Sequence, residues 1–116
     1  MKAFDRVFGG LLFLAGIGHS LGSYMAYKGD HMILLWAWSA SLAIFLLAAV
    51  NLLRAGRTAD RSLAWISFVA CLVWMAFAIW FGRLIGNVFD PRPLGNALIT
   101  LVLAVFSLRT ALHVNA

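Results

Sequence analysis

The feature of this sequence that most constrains its fold is a series of four long apolar runs. They cover residues 7–27, 32–53, 62–85 and 94–112, which is almost the whole of the 116-residue chain. Each run is close to the ~20 residues that a helix needs to cross ~30 Å of hydrocarbon. Only helices and closed β-barrels satisfy all their backbone hydrogen bonds in lipid. Because stretches such as 33–38 do not alternate between apolar and polar residues, we predict four transmembrane helices.

The composition excludes the main alternatives to a membrane protein. The chain is 64% hydrophobic and 11% charged, whereas a soluble domain is about half apolar and about a quarter charged. This excludes a single soluble domain, and it excludes disorder, which needs low hydrophobicity and high charge. A disulfide scaffold is excluded because Cys71 is the only cysteine. We therefore predict an all-α fold, a single integral membrane domain over residues 1–116 that forms an antiparallel bundle of four transmembrane helices.

The basic residues predict the orientation of the bundle. The net charge is +5, and the basic residues flank the apolar runs instead of forming one nucleic-acid-binding face. With four spans, the termini and the middle loop share one side of the membrane. That side carries six basic residues (Lys2, Arg6, Arg54, Arg57, Arg61 and Arg109) and the other carries three (Lys28, Arg83 and Arg92). The positive-inside rule then predicts a bacterial-type inner-membrane protein with both termini in the cytoplasm.

All four acidic residues are aspartates, and each lies just before an apolar run. They are Asp5, Asp30, Asp60 and Asp90. Aspartate is a favoured helix N-cap because its carboxylate accepts the unpaired N–H groups of the first turn. Asp90 is followed by Pro91, and proline is favoured at the first helical position. We therefore predict that all four aspartates are helix caps.

Small residues recur on single faces of the predicted helices. In the fourth run they follow a spacing of three and four residues, at Ala97, Thr100, Ala104 and Ser107. In the first run, Gly18 and Gly22 form a small-xxx-small pair. Helices in lipid associate by close packing of such faces. These residues are predicted to pack helices together, either within one bundle or between copies in a homo-oligomer.

Three polar residues in the apolar runs are candidates for ligand binding. His19 lies eight residues before the outer end of the first run, or ~12 Å deep, and an ionisable residue at such depth suggests a site. Ser23 lies one turn further along the same helix face. Arg83, near the outer end of the third run, either extends to the headgroups or binds a lipid phosphate or another anion. The alternative for His19 is a neutral histidine hydrogen-bonded to a neighbouring helix.

The sequence predicts neither catalytic residues nor a metal site. A haem of the membrane b type needs two histidines at the same depth, and His19, His31 and His113 are at different predicted depths. A metal site needs three or four ligands, and Asp30 beside His31 is the only close grouping. We expect no cofactor, while a quinone, a haem shared by an oligomer, or a bound lipid stays open.

The opening segment RVFGGLLFLAGIGH, from Arg6 to His19, resembles the start of DoxX-like proteins, which are small four-helix bacterial membrane proteins. In that family an arginine is followed by a run of glycines and aliphatic residues and then by a glycine before Lys or His. Some members are associated with quinol oxidation or with membrane redox complexes. The resemblance implies that Arg6, Gly16 and His19 are the positions of interest.

Three functional hypotheses follow. The leading one is a non-enzymatic membrane bundle that associates with itself, with a membrane protein partner or with lipid. The second is a small transporter or channel that uses an outward-side polar cluster around His19 and Arg83. The third is a redox accessory protein that binds quinone or haem. No interaction with nucleic acid is expected.

Overall fold

The computed structural model describes residues 2–113, and this part of the chain forms four α-helices. They are α1 (Lys2–Tyr27), α2 (His31–Ala55), α3 (Arg61–Leu84) and α4 (Pro91–Leu112). All four are long and apolar enough to cross a membrane. The predicted all-α fold with four candidate spans is therefore confirmed. The observed α1 and α2 extend beyond the predicted apolar runs because charged residues at their ends are also helical.

Three of the four aspartates are N-cap residues. The carboxylates of Asp30 and Asp60 accept the backbone N–H three residues further on, at 3.2 and 2.9 Å. The carboxylate of Asp90 accepts the backbone N–H of Arg92 at 3.0 Å, and Pro91 occupies the first helical position. The side-chain hydrogen bond from Arg92 lowers the pKa of Asp90, so this cap stays ionised to a lower pH than a free aspartate.

Asp5 has a different role from the predicted cap. It lies within α1, and its two carboxylate oxygens accept hydrogen bonds from the Arg54 guanidinium at 2.6 and 2.8 Å. Arg54, which the sequence suggested for the middle loop, belongs to α2 and is fully buried. The prediction that Asp5 is a helix cap is therefore wrong. Its partner lies 49 positions away in the sequence, and a local pattern cannot reveal such a pairing.

The helices associate as two pairs, α1 with α2 and α3 with α4, and most close contacts lie within these pairs. In the α1–α2 pair, Gly9 lies against Leu52 and Gly16 against Phe45. In the α3–α4 pair, the hydroxyl groups of Ser67 and Ser107 lie 2.8 Å apart. A Cβ on Gly82 would lie 2.9 Å from the backbone of the turn that leads into α4. In these contacts an early residue of the first helix of each pair meets a late residue of the second, as with Gly9 and Leu52 or Ser67 and Ser107.

A compact core joins the two pairs near the middle of the bundle. It consists of Leu12, Ile44, Leu47, Ala48, Cys71, Leu103 and Ala104. Most other large apolar side chains are exposed, including Leu14, Trp36 and Ile66. Soluble monomers rarely expose apolar surface so extensively. The outward-facing apolar side chains therefore fit a lipid environment.

The predicted packing residues divide into two groups. In α4, Thr100, Ala104 and Ser107 are buried and Ala97 is half-buried. Gly18 and Gly22 are exposed, and a Cβ on either would meet nothing within 4 Å. Among the described residues α1 therefore packs against α2 through Gly9 and Gly16, whereas Gly18 and Gly22 face open space.

Replacing Gly16 and Gly18 by leucine tests this packing, since the two glycines lie two positions apart on one helix. A Cβ at Gly16 would lie 2.7 Å from a ring carbon of Phe45 and 3.2 Å from a methyl carbon of Ile44. We expect Gly16→Leu to lower the free energy of unfolding by about 1–3 kcal/mol, as overpacking does. Gly18→Leu should not lower it. Unfolding in mixed detergent micelles measures both, and equal destabilisation by the two variants would contradict this packing.

Candidate functional site

A cavity of about 290 Å³ lies between the two helix pairs, next to the core. All four helices contribute to its lining, which comprises His19, Ala40, Ile44, Trp74, Phe77, Ala78, Phe81, Arg92, Pro93 and Asn96. Seven of these ten side chains are apolar. Small-molecule pockets are typically ~300–1,000 Å³, mostly apolar, with a few polar groups that orient the ligand. The volume of this cavity lies just below that range, and its lining has the same mostly apolar composition with a few polar groups.

The walls of the cavity follow from the sequence of each helix. Trp74, Phe77 and Phe81 are spaced by three and four residues, so their rings form one stripe along α3. Across from the stripe, α2 contributes the small Ala40, which leaves space between the pairs. Ile44, one turn from Ala40, is fully buried and belongs to the core. The cavity therefore lies where the packed core stops.

His19 is oriented by a hydrogen bond to the neighbouring helix. Its Nδ1 lies 2.7 Å from the Oγ of Ser41, which is buried on α2. Nearby, the indole Nε1 of Trp38 donates to the carbonyl oxygen of Ser20 at 3.1 Å, which holds α1 and α2 together beside the histidine. Among residues 2–113 no group is hydrogen-bonded to the Nε2 of His19. The histidine is thus both a helix-contacting residue and a cavity residue.

Asn96 contributes a second oriented polar group. Its Oδ1 accepts a hydrogen bond from the indole Nε1 of Trp74 at 3.3 Å, and its Nδ2 donates to the carbonyl oxygen of Arg92 at 3.0 Å. An indole N–H only donates and a carbonyl only accepts, so these contacts fix which way the amide faces. One N–H and one oxygen lone pair of Asn96 stay available to a ligand.

Arg92 brings a charged group to the rim of the cavity. Its Nε and Nη2 each donate to an Asp90 carboxylate oxygen at 3.0 Å. The Arg92 side chain is 74% exposed, so it marks where the cavity meets the surroundings. Because the pair is neutral as a whole, the rim carries no net charge from these two residues.

The structure brings together only some of the residues that the sequence suggested. His19 lines the cavity, whereas Ser23 is buried away from it and Arg83 is exposed and does not line it. Of the ten lining residues, only His19 was a site candidate from the sequence, so the polar Trp74, Arg92 and Asn96 were missed. The spacing of Arg92 and Asn96, one helical turn apart, was the available signal for a polar face on α4.

A separate buried polar network lies on the other side of the core from the cavity. The Nη2 of Arg54 donates to the Oδ1 of Asn51 at 3.1 Å, and the same oxygen accepts from Ser67 at 2.9 Å. The Asn51 amide nitrogen contacts the Sγ of Cys71 at 3.4 Å. Through Asp5, Arg54, Asn51, Ser67 and Ser107 the network reaches all four helices. Each of these side chains is buried, which points to a structural role.

Among the described residues no three His, Cys, Asp or Glu side chains are grouped so that they could hold a metal ion. Comparison with protein-family models, curated proteins and solved structures finds no match. The resemblance of the opening segment to DoxX-like proteins therefore stays a prediction.

Removing the partner of Arg54 should destabilise the bundle strongly. Asp5→Asn leaves a fully buried guanidinium without its carboxylate, and breaking a buried ion pair costs about 3–5 kcal/mol. We expect a loss of about 3 kcal/mol in the free energy of unfolding. Arg6→Gln, which alters an exposed neighbour in the same helical turn, should change it little.

A double variant distinguishes the effect of leaving Arg54 unpaired from the effect of removing both buried charges. Asp5→Leu combined with Arg54→Met removes both charges, and apolar replacement of a buried ion pair is often neutral. Unfolding in detergent should therefore show that the double variant recovers most of the stability lost by Asp5→Asn. If the double variant is as unstable as Asp5→Asn, Asp5 does not stabilise the bundle by neutralising the charge of Arg54.

Proposed function

We propose that this chain is a non-enzymatic, multi-pass protein of a bacterial-type inner membrane that holds a small apolar molecule from the bilayer. The observation that carries the proposal is the cavity between the helix pairs, with its apolar walls and its oriented His19. A lipid-binding bundle was one form of the leading hypothesis from the sequence. The cavity supports that form of the hypothesis.

The antiparallel arrangement is supported by the length of the connections. The helices are joined by residues 28–30, 56–60 and 85–90. A chain extends at most ~3.6 Å per residue, so six residues reach ~22 Å. This is less than the ~30 Å thickness of the hydrocarbon core. If all four helices span the membrane, each must run opposite to the one before it.

The exposed basic residues support the proposed orientation. Arg54 is buried against Asp5 and does not contribute to the surface charge. The side with the termini then has five basic residues against three on the other side (Lys2, Arg6, Arg57, Arg61 and Arg109 against Lys28, Arg83 and Arg92). By the positive-inside rule, both termini and the middle loop lie in the cytoplasm.

Single-cysteine labelling tests this orientation. In a Cys71→Ser background, Thr58→Cys and Gly29→Cys each place one thiol in an exposed turn, on opposite sides of the proposed bundle. With a membrane-impermeant maleimide, we expect residue 29 to label in spheroplasts and residue 58 to label only after lysis. The unaltered chain serves as a control because its Cys71 is buried. The reverse labelling pattern would refute the orientation.

Self-association is a second candidate role, and the exposed α1 face favours it. Gly18 and Gly22 lie one turn apart and are exposed, and a Cβ on either would meet nothing within 4 Å among the described residues. Small-xxx-small faces allow close helix approach in lipid. Under this role Gly18→Leu lowers the oligomer mass while leaving the stability of the single chain intact.

The other two hypotheses gain less from the structure. A transport site built jointly from His19 and Arg83 is not favoured, because Arg83 does not line the cavity. For a haem-binding accessory protein, His31 and His113 are exposed at the ends of helices, away from His19. Both hypotheses stay open as predictions from the sequence.

Filling the cavity tests the proposed function. Ala40→Phe places a ring in the cavity, and Ala43→Phe places the same ring on the exposed face of the same helix. Native mass spectrometry from nanodiscs should show a bound small molecule on the unaltered chain and on Ala43→Phe. We expect Ala40→Phe to lose it. Equal retention by the two variants, or no adduct on any form, would contradict ligand binding in this cavity.

A further inference from the structure

The polar groups that stay available in the cavity restrict what kind of molecule it can bind. Three polar side chains line it: His19, Asn96 and Arg92. The guanidinium of Arg92 is engaged by Asp90 through two hydrogen bonds. Its three remaining N–H groups belong to a side chain that is 74% exposed at the rim. Away from the rim, the available hydrogen-bonding capacity comes from the Nε2 of His19 and from one side of the Asn96 amide.

The contact with Ser41 indicates which His19 nitrogen carries the proton. The Ser41 hydroxyl has one hydrogen and two acceptors near it, the Nδ1 of His19 at 2.7 Å and the carbonyl oxygen of Ala37 at 3.5 Å. A separation of 2.7 Å fits a hydrogen bond in either direction, whereas 3.5 Å is long for any hydrogen bond. If Nδ1 donated, the hydroxyl hydrogen would have only the long contact with Ala37. We therefore assign the hydroxyl as the donor to Nδ1, which places the proton of the neutral ring on Nε2. His19 offers the cavity an N–H donor.

The charges around the cavity disfavour ionic ligands. An anion at Arg92 would meet a guanidinium whose charge the Asp90 carboxylate already compensates, and it would lie close to that carboxylate. A cation would find no carboxylate among the residues that line the cavity, and Asp90 beside the rim is paired with Arg92. The aromatic rings of α3 form one stripe on one wall, and a cage for a quaternary ammonium needs rings on several sides.

We infer that the cavity selects an uncharged lipid-soluble molecule with a hydroxyl or carbonyl oxygen, which accepts a hydrogen bond from the Nε2 of His19. The hydrocarbon part of this molecule lies along the stripe of Trp74, Phe77 and Phe81. Asn96 provides a second hydrogen-bonding group to the same ligand. The inference rests on the proposed ligand-binding function and adds the chemical class of the ligand.

Competition photolabelling in nanodiscs tests the inference. The probe is a twelve-carbon alcohol with a diazirine on its chain, and cross-linked peptides are located by mass spectrometry. Unlabelled competitors share the chain and differ at the head: 1-dodecanol, dodecan-2-one, dodecane, dodecanoate and dodecyltrimethylammonium. We expect labelling on the 74–81 segment of α3, with the alcohol and the ketone as the strongest competitors.

Variants of His19 test whether this side chain causes the preference for an alcohol over an alkane. His19→Phe keeps an aromatic ring and removes the N–H, and should reduce the advantage of 1-dodecanol over dodecane by roughly 2- to 10-fold, as expected for one neutral hydrogen bond. His19→Gln retains an N–H donor and should restore part of it. His31→Phe, which replaces an exposed histidine outside the cavity, should leave the advantage unchanged.

The outcomes separate this inference from the proposed function. Labelling in the cavity with equal competition by alcohol and alkane would refute the inference and leave ligand binding intact. Strongest competition by the carboxylate or by the ammonium compound would also refute it. No labelling on 74–81 would contradict both. The competitor ranking is measured on the unaltered chain, so it stands even if a histidine variant fails to fold.

Discussion

Arg54 is the residue on which the assembly of the four helices depends. Its guanidinium is fully buried near the end of α2, and it binds Asp5 on α1 and Asn51 on its own helix. Asn51 in turn accepts hydrogen bonds from Ser67 on α3 and Ser107 on α4. In lipid there is no hydrophobic driving force between helices, so packing and polar contacts decide how they associate. A charge at this position can be buried only because Asp5 neutralises it.

The position of this network explains why a cavity can exist elsewhere in the bundle. Asn51 and Ile44 are seven residues apart on α2, about two turns, and the core lies between the network and the cavity. On the cavity side, the hydrogen bonds of the described residues each stay within one helix pair, as between His19 and Ser41 or Trp74 and Asn96. The two pairs are therefore held together at one end and in the middle. Small side chains such as Ala40 leave space between them beyond that point.

The apolar lining of the cavity and the apolar outer surface of the bundle both suit a lipid environment. A molecule dissolved in the bilayer reaches a membrane protein without crossing water, and an apolar wall on α3 suits its hydrocarbon part. A single N–H from His19 adds selectivity at little desolvation cost, because a neutral donor is cheaper to bury than a charge. The neutral Arg92–Asp90 pair at the rim adds no net field that would attract ions. This combination is the basis of our proposal that the cavity binds an uncharged lipid-soluble molecule.

Local patterns in the sequence were sufficient for the secondary structure. The helical spans follow from apolar run length because lipid leaves the backbone few alternatives. Asp30, Asp60 and Asp90 were identifiable as caps because a cap involves only the next three residues. His19 stood out because an ionisable residue is rare at its depth. Each of these signals is contained within a few turns of helix.

Only the tertiary structure decided which distant residues meet. The sequence offered no indication that Asp5 reaches Arg54, 49 positions away, so Asp5 was interpreted as a cap and Arg54 as a loop residue. Likewise, Gly16 packs against α2 while Gly18 faces outward, although both are glycines in the same apolar run. The cavity joins side chains from four helices, and its existence depends on how the two pairs pack. The sequence determined the helices and their solvent because those depend on local chemistry, whereas the ion pair, the packed faces and the cavity depend on helix rotation and register.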